Sequence, residues 1–238
     1  VGTDEDMVES RSDGRVRYGL DAPGPLLGTL IAGGITLVVG LTVTRLALVP
    51  GVVLLAYGAF HLWGSAVGKV KVGRRLLAAI PWNGNETVLD IGCGHGMLLI
   101  EAATRFTEGK VVGIDIWSEK DQWRNSAEAV VQNVRRAGLS ERAFVQSADA
   151  RDLPFRDRAF DVVVSSLVVH NIPDATQRDR AIHEMARILK PGGHVAIVDL
   201  AHTARYARVL REAGMSHVHR SSPVPLFSPV ARAVTARR

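Results

Sequence analysis

Between Asp21 and Lys69 the chain carries one ionised side chain, Arg45, whereas the sequence that follows is charged throughout. This gap constrains the fold more than any other feature. It divides into two charge-free stretches, 22–44 and 46–68, each near the ~20 residues that a membrane-crossing helix needs. Arg45, Pro50 and Gly51 lie between them, and a tight turn there predicts an antiparallel helical hairpin. Apolar residues occupy every side of both stretches rather than one stripe, which favours lipid over a soluble packing surface. The alternative is a soluble hairpin buried against the rest of the chain. A cleavable signal peptide fits poorly, because the apolar region starts late and there are two of them.

Gly28, Ala32, Thr36, Gly40 and Thr44 recur every fourth position, and Gly64 and Gly68 repeat the spacing. Small residues on one helix face let another backbone approach closely, and a homo-oligomer through the hairpin is one arrangement this permits. Residues 1–21 are polar, carry charges of both signs and are expected to be disordered. Arg11, Arg15 and Arg17 precede the first stretch, and Lys69, Lys71, Arg74 and Arg75 follow the second. By the positive-inside rule both ends of the hairpin face the cytoplasm, as does the remainder of the chain. The basic cluster 69–75 then sits beside membrane lipid headgroups.

The 238 residues suffice for one medium domain beside this appendage. The expected organisation is a polar N-terminus, 1–21, a transmembrane hairpin, 22–68, and one domain, 69–238. The net charge of +5 comes from arginines scattered among acids, with no aromatic-and-basic stripe of the kind that binds single strands. A nucleic-acid partner is therefore not expected. Cys93 is the only cysteine, so the chain holds neither an internal disulfide nor a CxxC site, and no histidines fall at HExxH spacing. No metal site is expected.

From about residue 70 the pattern alternates strand and helix. Strands are expected at 87–91, 111–116, 143–146, 161–167, 194–200, 215–221 and 230–236. Helices are expected at 97–106, 122–137, 176–189 and 203–213. Repeated strand–helix alternation implies a mostly parallel sheet with helices on both faces. Such sheets bind ligands beyond the carboxyl ends of the strands, where the strand order reverses.

The segment Val88–Gly96 (VLDIGCGHG) holds Gly92, Gly94 and Gly96 in a turn after the first strand. Glycines there let backbone come close to a ligand. The spacing is GxGxG, and Met97 stands where a dinucleotide fingerprint would place its third glycine. Asp90 adds a carboxylate that repels a pyrophosphate and suits an ammonium or sulfonium. The pattern disfavours NAD and favours a cationic nucleoside. Asp115 ends the second strand, where an acid can accept hydrogen bonds from ribose hydroxyls; alone it would read as well as a helix cap.

These residues resemble the class I S-adenosylmethionine-dependent methyltransferases, particularly the small-molecule branch similar to quinone-biosynthesis C-methyltransferases. The resemblance covers roughly 70–238 and rests on VLDIGCGHG (88–96), VVGIDIW (111–117), SADARDLPF (147–155), FDVVVSSLVVHNI (160–172), LKPGGHVAIVDL (189–200) and TARYARVLREAGM (203–215) in family order. It implies a Rossmann-like α/β fold with a seven-stranded sheet and S-adenosyl-L-methionine as cofactor. By the same resemblance Asp90, Gly92, Gly94 and Gly96 wrap the methionine part, with Cys93 as a small filler beside the loop. Asp115 holds the ribose, Ile116 and Trp117 flank the adenine, Asp149 and Ala150 read its edge, and Ser165 lines the methyl-transfer site. The hairpin lies outside this resemblance.

A sulfonium methyl is already activated, so the protein's tasks are alignment of the acceptor and exclusion of water. A base is needed only where the acceptor must lose a proton. His170 follows the fourth strand, where acceptors approach, and is the candidate catalytic base or positioning group; otherwise HNIP (170–173) is a loop turned by Pro173. Two other classes compete with the enzyme: a membrane-tethered nucleoside-binding module without turnover, and a Rossmann-type oxidoreductase. A small acceptor of lipid or quinone-like character is expected because the domain is parked on a membrane.

Overall fold

The computed structural model describes residues 16, 18–225 and 230–238; Arg11, Arg15 and Arg17, on which half of the orientation argument rests, lie outside them. The hairpin consists of helix α1, Pro23–Thr42, a short 3-10 turn at Arg45–Ala47, and helix α2, Leu48–Trp63. The turn thus falls at 43–47, and Pro50 and Gly51 sit within α2 rather than between the helices. Pro50 is tolerated there because the first turn of a helix has no partner for its N–H groups. A π-helical turn, Gly64–Gly68, joins α2 without a break to α3, Lys69–Ala78.

The two hairpin helices meet through glycines spaced seven apart, not four. Gly33 and Gly40 lie against Leu55 and Leu48, and Gly51 and Gly58 against Leu37 and Leu30. A Cβ on Gly51 would stand 2.7 Å from the backbone of Leu37, so any side chain there would push the helices apart. Gly28 instead faces open space, with nothing within 4 Å of a Cβ built on it. The outward faces are apolar: Leu27, Ile31, Ile35, Val38, Leu41, Val49, Val52 and Val53 are all more than half exposed.

The remaining elements are strand β1 (Thr87–Ile91), α4 (Met97–Ala103), β2 (Lys110–Asp115), α5 (Ala127–Arg136), β3 (Ala143–Ser147), β4 (Phe160–Ser166), α6 (Ala175–Ile188), β5 (Leu189–Asp199), α7 (Thr203–Glu212), β6 (Ser216–Arg220) and β7 (Arg232–Arg237). The sheet runs in the order β3-β2-β1-β4-β5-β7-β6. β7 alone runs antiparallel to both of its neighbours, so the expected mostly parallel seven-stranded Rossmann-like sheet is present. Neighbouring residues of one strand feed opposite cores, as a period of two requires. Val88, Val111, Val162 and Val198 pack toward α3, α4 and α5. Leu89, Ile91, Ile114 and Val163 pack toward α6 and α7.

Several boundaries differ from those expected: helix α4 ends at Ala103 rather than 106, and the larger shifts are in α5 and β5. Helix α5 starts at Ala127, capped by Ser126, whose hydroxyl accepts from the N–H of Ala129 at 3.2 Å; residues 122–125 belong to a loop. Helix α6 runs from its Asp174 cap only to Ile188. Strand β5 then begins at Leu189 and passes through Pro191-Gly192-Gly193, with a register shift opposite Phe160 and Val162. A bulge accommodates the proline that a regular ladder would reject.

Residues 18–21 also depart from the expected disorder. They lie against the loop at 121–123 and against Lys69, held by several hydrogen bonds.

Candidate cofactor and acceptor site

Strand order reverses between β1 and β4, and a cavity of about 370 Å³ opens at the carboxyl ends of β1, β2 and β4. Its wall includes Asp90, Gly92, Cys93, Gly94, Asp115, Ile116, Asp149, Ala150 and His170. Nine of the twelve residues singled out by the sequence are therefore brought together.

The glycine loop folds tightly onto β2. The N–H groups of Gly92 and Cys93 donate to the carbonyl of Ile114 at 2.8 and 3.0 Å. Gly94 N–H donates to Asp115 Oδ2 at 2.8 Å, and His95 N–H to Gln122 Oε1 at 3.0 Å. Gly96 N–H donates to the carbonyl of Cys93 at 2.7 Å. A pyrophosphate site works by aiming free backbone N–H groups at the anion; here all five are occupied. Gly92 has a left-handed φ of 70°, and a Cβ on it would stand 2.2 Å from Val168 Cγ2. Only glycine lets the loop pass under the segment after β4.

Asp90 is 1% exposed, and its Oδ2 has no hydrogen-bond partner. Burial pushes its carboxyl up from 3.8 to about 8, opposed by a backbone hydrogen bond from Leu99 and reinforced by the charge of Asp115. Asp90 borders the cavity, and a buried carboxyl that lacks a full set of partners suits a cation brought beside it. Burial also pushes the Cys93 thiol well up, with Asp90 and Asp115 adding to the effect. It is an inert thiol, not a nucleophile.

Asp115 accepts from Gly94 N–H and, through Oδ1, from Trp117 N–H at 2.7 Å and Asn125 Nδ2 at 3.2 Å. Three of the roughly four acceptor positions of a carboxylate are thus taken, which leaves room for about one ribose hydroxyl. Asp149 is gripped by Arg151 Nε at 2.9 Å and Nη2 at 2.5 Å, and this guanidinium holds its carboxyl below the usual range.

Three expected residues are not on the cavity wall. Gly96 precedes α4 and packs beneath α5, where a Cβ would meet Val130 Cγ2 at 2.7 Å. Trp117 adopts a φ of 60° and turns to donate from Nε1 to Ser147 Oγ at 2.7 Å, so Ile116 lines the cavity without it. Ser165 is fully buried and donates to the carbonyl of Ile91 at 2.9 Å. Ser166, Leu167 and Val168 line the cavity in its place.

His170 is 22% exposed, and its Nδ1 lies against Asp199 Oδ1. Asp199 is wholly buried at the end of β5 and accepts from His170 N–H at 3.0 Å, Leu200 N–H at 2.8 Å and the Tyr206 hydroxyl at 3.2 Å. Asp199 thus anchors the backbone of His170 and lies beside its Nδ1, which makes no directed hydrogen bond. Sequence reasoning missed Asp199, although it ends a buried strand just as Asp115 does. It also missed Tyr18, Asp21 and Lys69, which line the cavity as well and give no local signal. Among the described residues no group of three or more His, Cys, Asp or Glu could hold a metal ion.

Residues 89–197 match a family model described as a methyltransferase domain. Over 125 residues the chain is 38% identical to 27-O-demethylrifamycin SV methyltransferase of Amycolatopsis mediterranei, covering 52% of this chain and 42% of that protein. Over 118 residues it is 31% identical to the ubiquinone/menaquinone biosynthesis C-methyltransferase UbiE of Geotalea daltonii, covering 49% and 46%. The chain thus spans less than half the length of either relative. Among solved structures it resembles the [4+2]-cyclase SpnF, with a TM-score of 0.60, 19% identity and coverage of 73% and 83%. That likeness concerns the fold, and a cyclase on this scaffold means that the fold alone does not fix the reaction.

Proposed function

From a chain that carries an S-adenosylmethionine-dependent methyltransferase domain, we infer an enzyme that methylates a small lipophilic acceptor at the cytoplasmic face of a membrane. The observation that carries the reading is the buried, partnerless Oδ2 of Asp90 beneath a glycine loop whose amides are all internally bonded. That combination fits the ammonium and sulfonium of S-adenosylmethionine and does not fit the pyrophosphate of a dinucleotide. When bound, the cofactor supplies a methyl group already activated by its sulfonium.

The chain's own residues then have separable tasks. Asp90 receives positive charge, Asp115 accepts from a ribose hydroxyl, and Ile116 with Ala150 borders the base. Gly92 and Gly94 keep the floor low enough for the ligand to sit on backbone. His170 accepts a proton from an O–H or N–H acceptor, with Asp199, which bonds its backbone N–H and lies beside Nδ1, placing the residue at the cavity. Base and orienter within reach of one cavity is the usual arrangement for proton transfer.

The membrane part of the reading is supported by two helices, Pro23–Thr42 and Arg45–Ala78, that are long and apolar enough to cross a bilayer and are only 17% and 11% buried. A core helix of a soluble protein would be mostly covered. Phe60 and Trp63 stack at 6.0 Å near the end of α2, with Lys71 Nζ 5.4 Å from the Trp63 ring. Aromatic and basic residues together suit the headgroup layer. The relatives named for rifamycin and quinone substrates are in keeping with a lipophilic acceptor. Incubating the full chain with methyl-labelled cofactor and a total lipid extract tests the reading. Label should pass into the lipid fraction, and its absence from every fraction despite cofactor binding would favour a binding module without turnover.

A further inference from the structure

The methyl-transfer reading gives no task to one side of the cavity, the part of its wall formed by Tyr18, Asp21, Ala22 and Lys69. Residues 18–22 cross that side as a strap with two sets of bonds. One set ties it to the loop before α5. Trp123 N–H donates to the carbonyl of Leu20 at 3.1 Å, and Ala22 N–H to that of Asp121 at 3.2 Å. Gln122 Nε2 donates to the Tyr18 carbonyl at 3.2 Å and to Asp21 Oδ1 at 3.0 Å. The same Gln122 accepts from His95 N–H, so the strap reaches the glycine loop through one side chain.

The other set ties the strap to the base of the hairpin. Lys69 Nζ donates to the carbonyls of Tyr18 and Gly19 at 2.8 and 2.9 Å and to Asp21 Oδ1 at 3.2 Å. Ser65 accepts from Asp21 N–H at 2.8 Å and donates to Asp21 Oδ2 at 3.2 Å. Ser65 and Lys69 are 3% and 4% exposed. A buried ammonium loses much if it is stripped of its acceptors, so Lys69 favours the strap being down. Ser65 lies in the π-helical turn, a departure from α-helix that often marks functional positions. The strap is bounded by two left-handed residues, Gly19 at φ 65° and Ala22 at φ 45°. Ala22 has a Cβ and is strained there, which lowers the cost of swinging the segment about that point.

We propose that residues 18–22 are a gate over the cavity, latched by Lys69, which lifts from the 121–123 loop to admit the cofactor and release its product. The assignment of that ligand rests on the reading above; the gate itself does not. Because the strap runs straight into α1 at Pro23 and the latch sits where the second hairpin helix enters the domain, the gate stands at the foot of the hairpin. Lifting it opens the cavity toward the bilayer surface.

Asp21 and Gln122 form an antiparallel bridge flanked by the 20–123 and 22–121 bonds, the close, non-hydrogen-bonded kind of pair with Cα atoms ~4.5 Å apart. That is within disulfide reach. In the full chain in detergent, D21C/Q122C should release S-adenosylhomocysteine at least about tenfold more slowly when oxidised, and return to a rate no slower than wild type on reduction. Equal rates in the two redox states overturn the gate. Lys69→Met, which keeps the apolar stem and removes the latch, should speed release several-fold. It should also speed hydrogen exchange of the amides at Asp21 and Ala22 in ligand-free protein. Unchanged exchange and unchanged release together overturn the latch, and Lys69→Met carries the test alone if the double variant does not accumulate. A wild-type chain that fails to bind S-adenosylhomocysteine would instead overturn the cofactor reading, while the exchange measurement still judges the gate.

Discussion

Asp90→Asn removes a proton equilibrium while leaving side-chain shape almost unchanged, and its consequences can be worked out from the burial of that carboxyl. A rise from 3.8 to about 8, at 1.36 kcal/mol per pH unit, corresponds to roughly 6 kcal/mol against the ionised form in the empty fold. In the unfolded chain the carboxyl ionises above about pH 4; in the fold it keeps its proton to about pH 8. Between those values the unfolded state binds fewer protons, so this residue's contribution to stability falls as pH rises through the window and is level outside it. A cation beside the free Oδ2 reverses the preference. At pH 7 the empty site is about nine-tenths protonated, and the occupied site should be ionised, so S-adenosylmethionine binding releases about 0.9 proton. Affinity should therefore climb by about tenfold per pH unit up to pH 7 and level off above 8. Calorimetry at pH 7 in two buffers of different ionisation enthalpy measures the proton count directly. Asp90→Asn should abolish the release, flatten the pH profile, and weaken binding at pH 8.5 by about 1.5–3 kcal/mol, the range for a hydrogen bond to a charged group. Wild-type binding with no proton exchange, or release that persists in the variant, would refute the argument.

Four further outcomes follow from the same geometry. Asp115→Ala should weaken cofactor binding by about 1.5–3 kcal/mol; unchanged affinity in a folded variant would remove the ribose assignment. His170→Ala should lower turnover by about 10²–10⁴ on an O–H or N–H acceptor while cofactor affinity stays put, and Asp199→Asn should lower it by way of a mis-oriented imidazole. Near-normal rates in both would indicate a carbon or already nucleophilic acceptor. NAD should not bind, since no loop amide is free to meet its pyrophosphate; saturable NADH fluorescence enhancement would contradict this. The full chain should resist carbonate extraction and need detergent, and release by carbonate would return the hairpin to the status of a soluble appendage.

Features that depend on local backbone chemistry were legible in the sequence. The GxGxG spacing, the acids closing β1 and β2, and the strand–helix alternation each follow from rules acting over a few residues. Where the reading missed, a longer-range effect decided. Ser165 and Ser166 differ by one step on β4, and one step changes the face of a strand. Ser165 spends its hydroxyl on the carbonyl of Ile91, and no property of the segment FDVVVSS by itself selects which serine faces the cavity. The family resemblance puts Trp117 beside the adenine, but its left-handed φ sends the ring to Ser147 instead. Asp199 was recoverable: the argument applied to Asp115, an acid at the carboxyl end of a buried strand, applies equally to the end of β5.

Contacts of Lys69 and of residues 18–21 cross the boundary drawn between a hairpin, 22–68, and a domain, 69–238. By composition Lys69 is the first charge after an apolar stretch and belongs to the membrane boundary. In the fold it is 4% exposed, and its acceptors come from a segment some fifty residues earlier. Val72, Leu76 and Leu77 of α3 lie in the core beneath the sheet, so the helix that leaves the hairpin is also a wall of the domain. A chain beginning at Val70 would keep Asp90, Asp115 and His170 yet lose Tyr18, Asp21 and Lys69 from the cavity wall. Such a fragment should still bind S-adenosylmethionine through the glycine loop, but should exchange it faster than the full chain does. Equal exchange rates would mean that the hairpin and its strap are an anchor and nothing more.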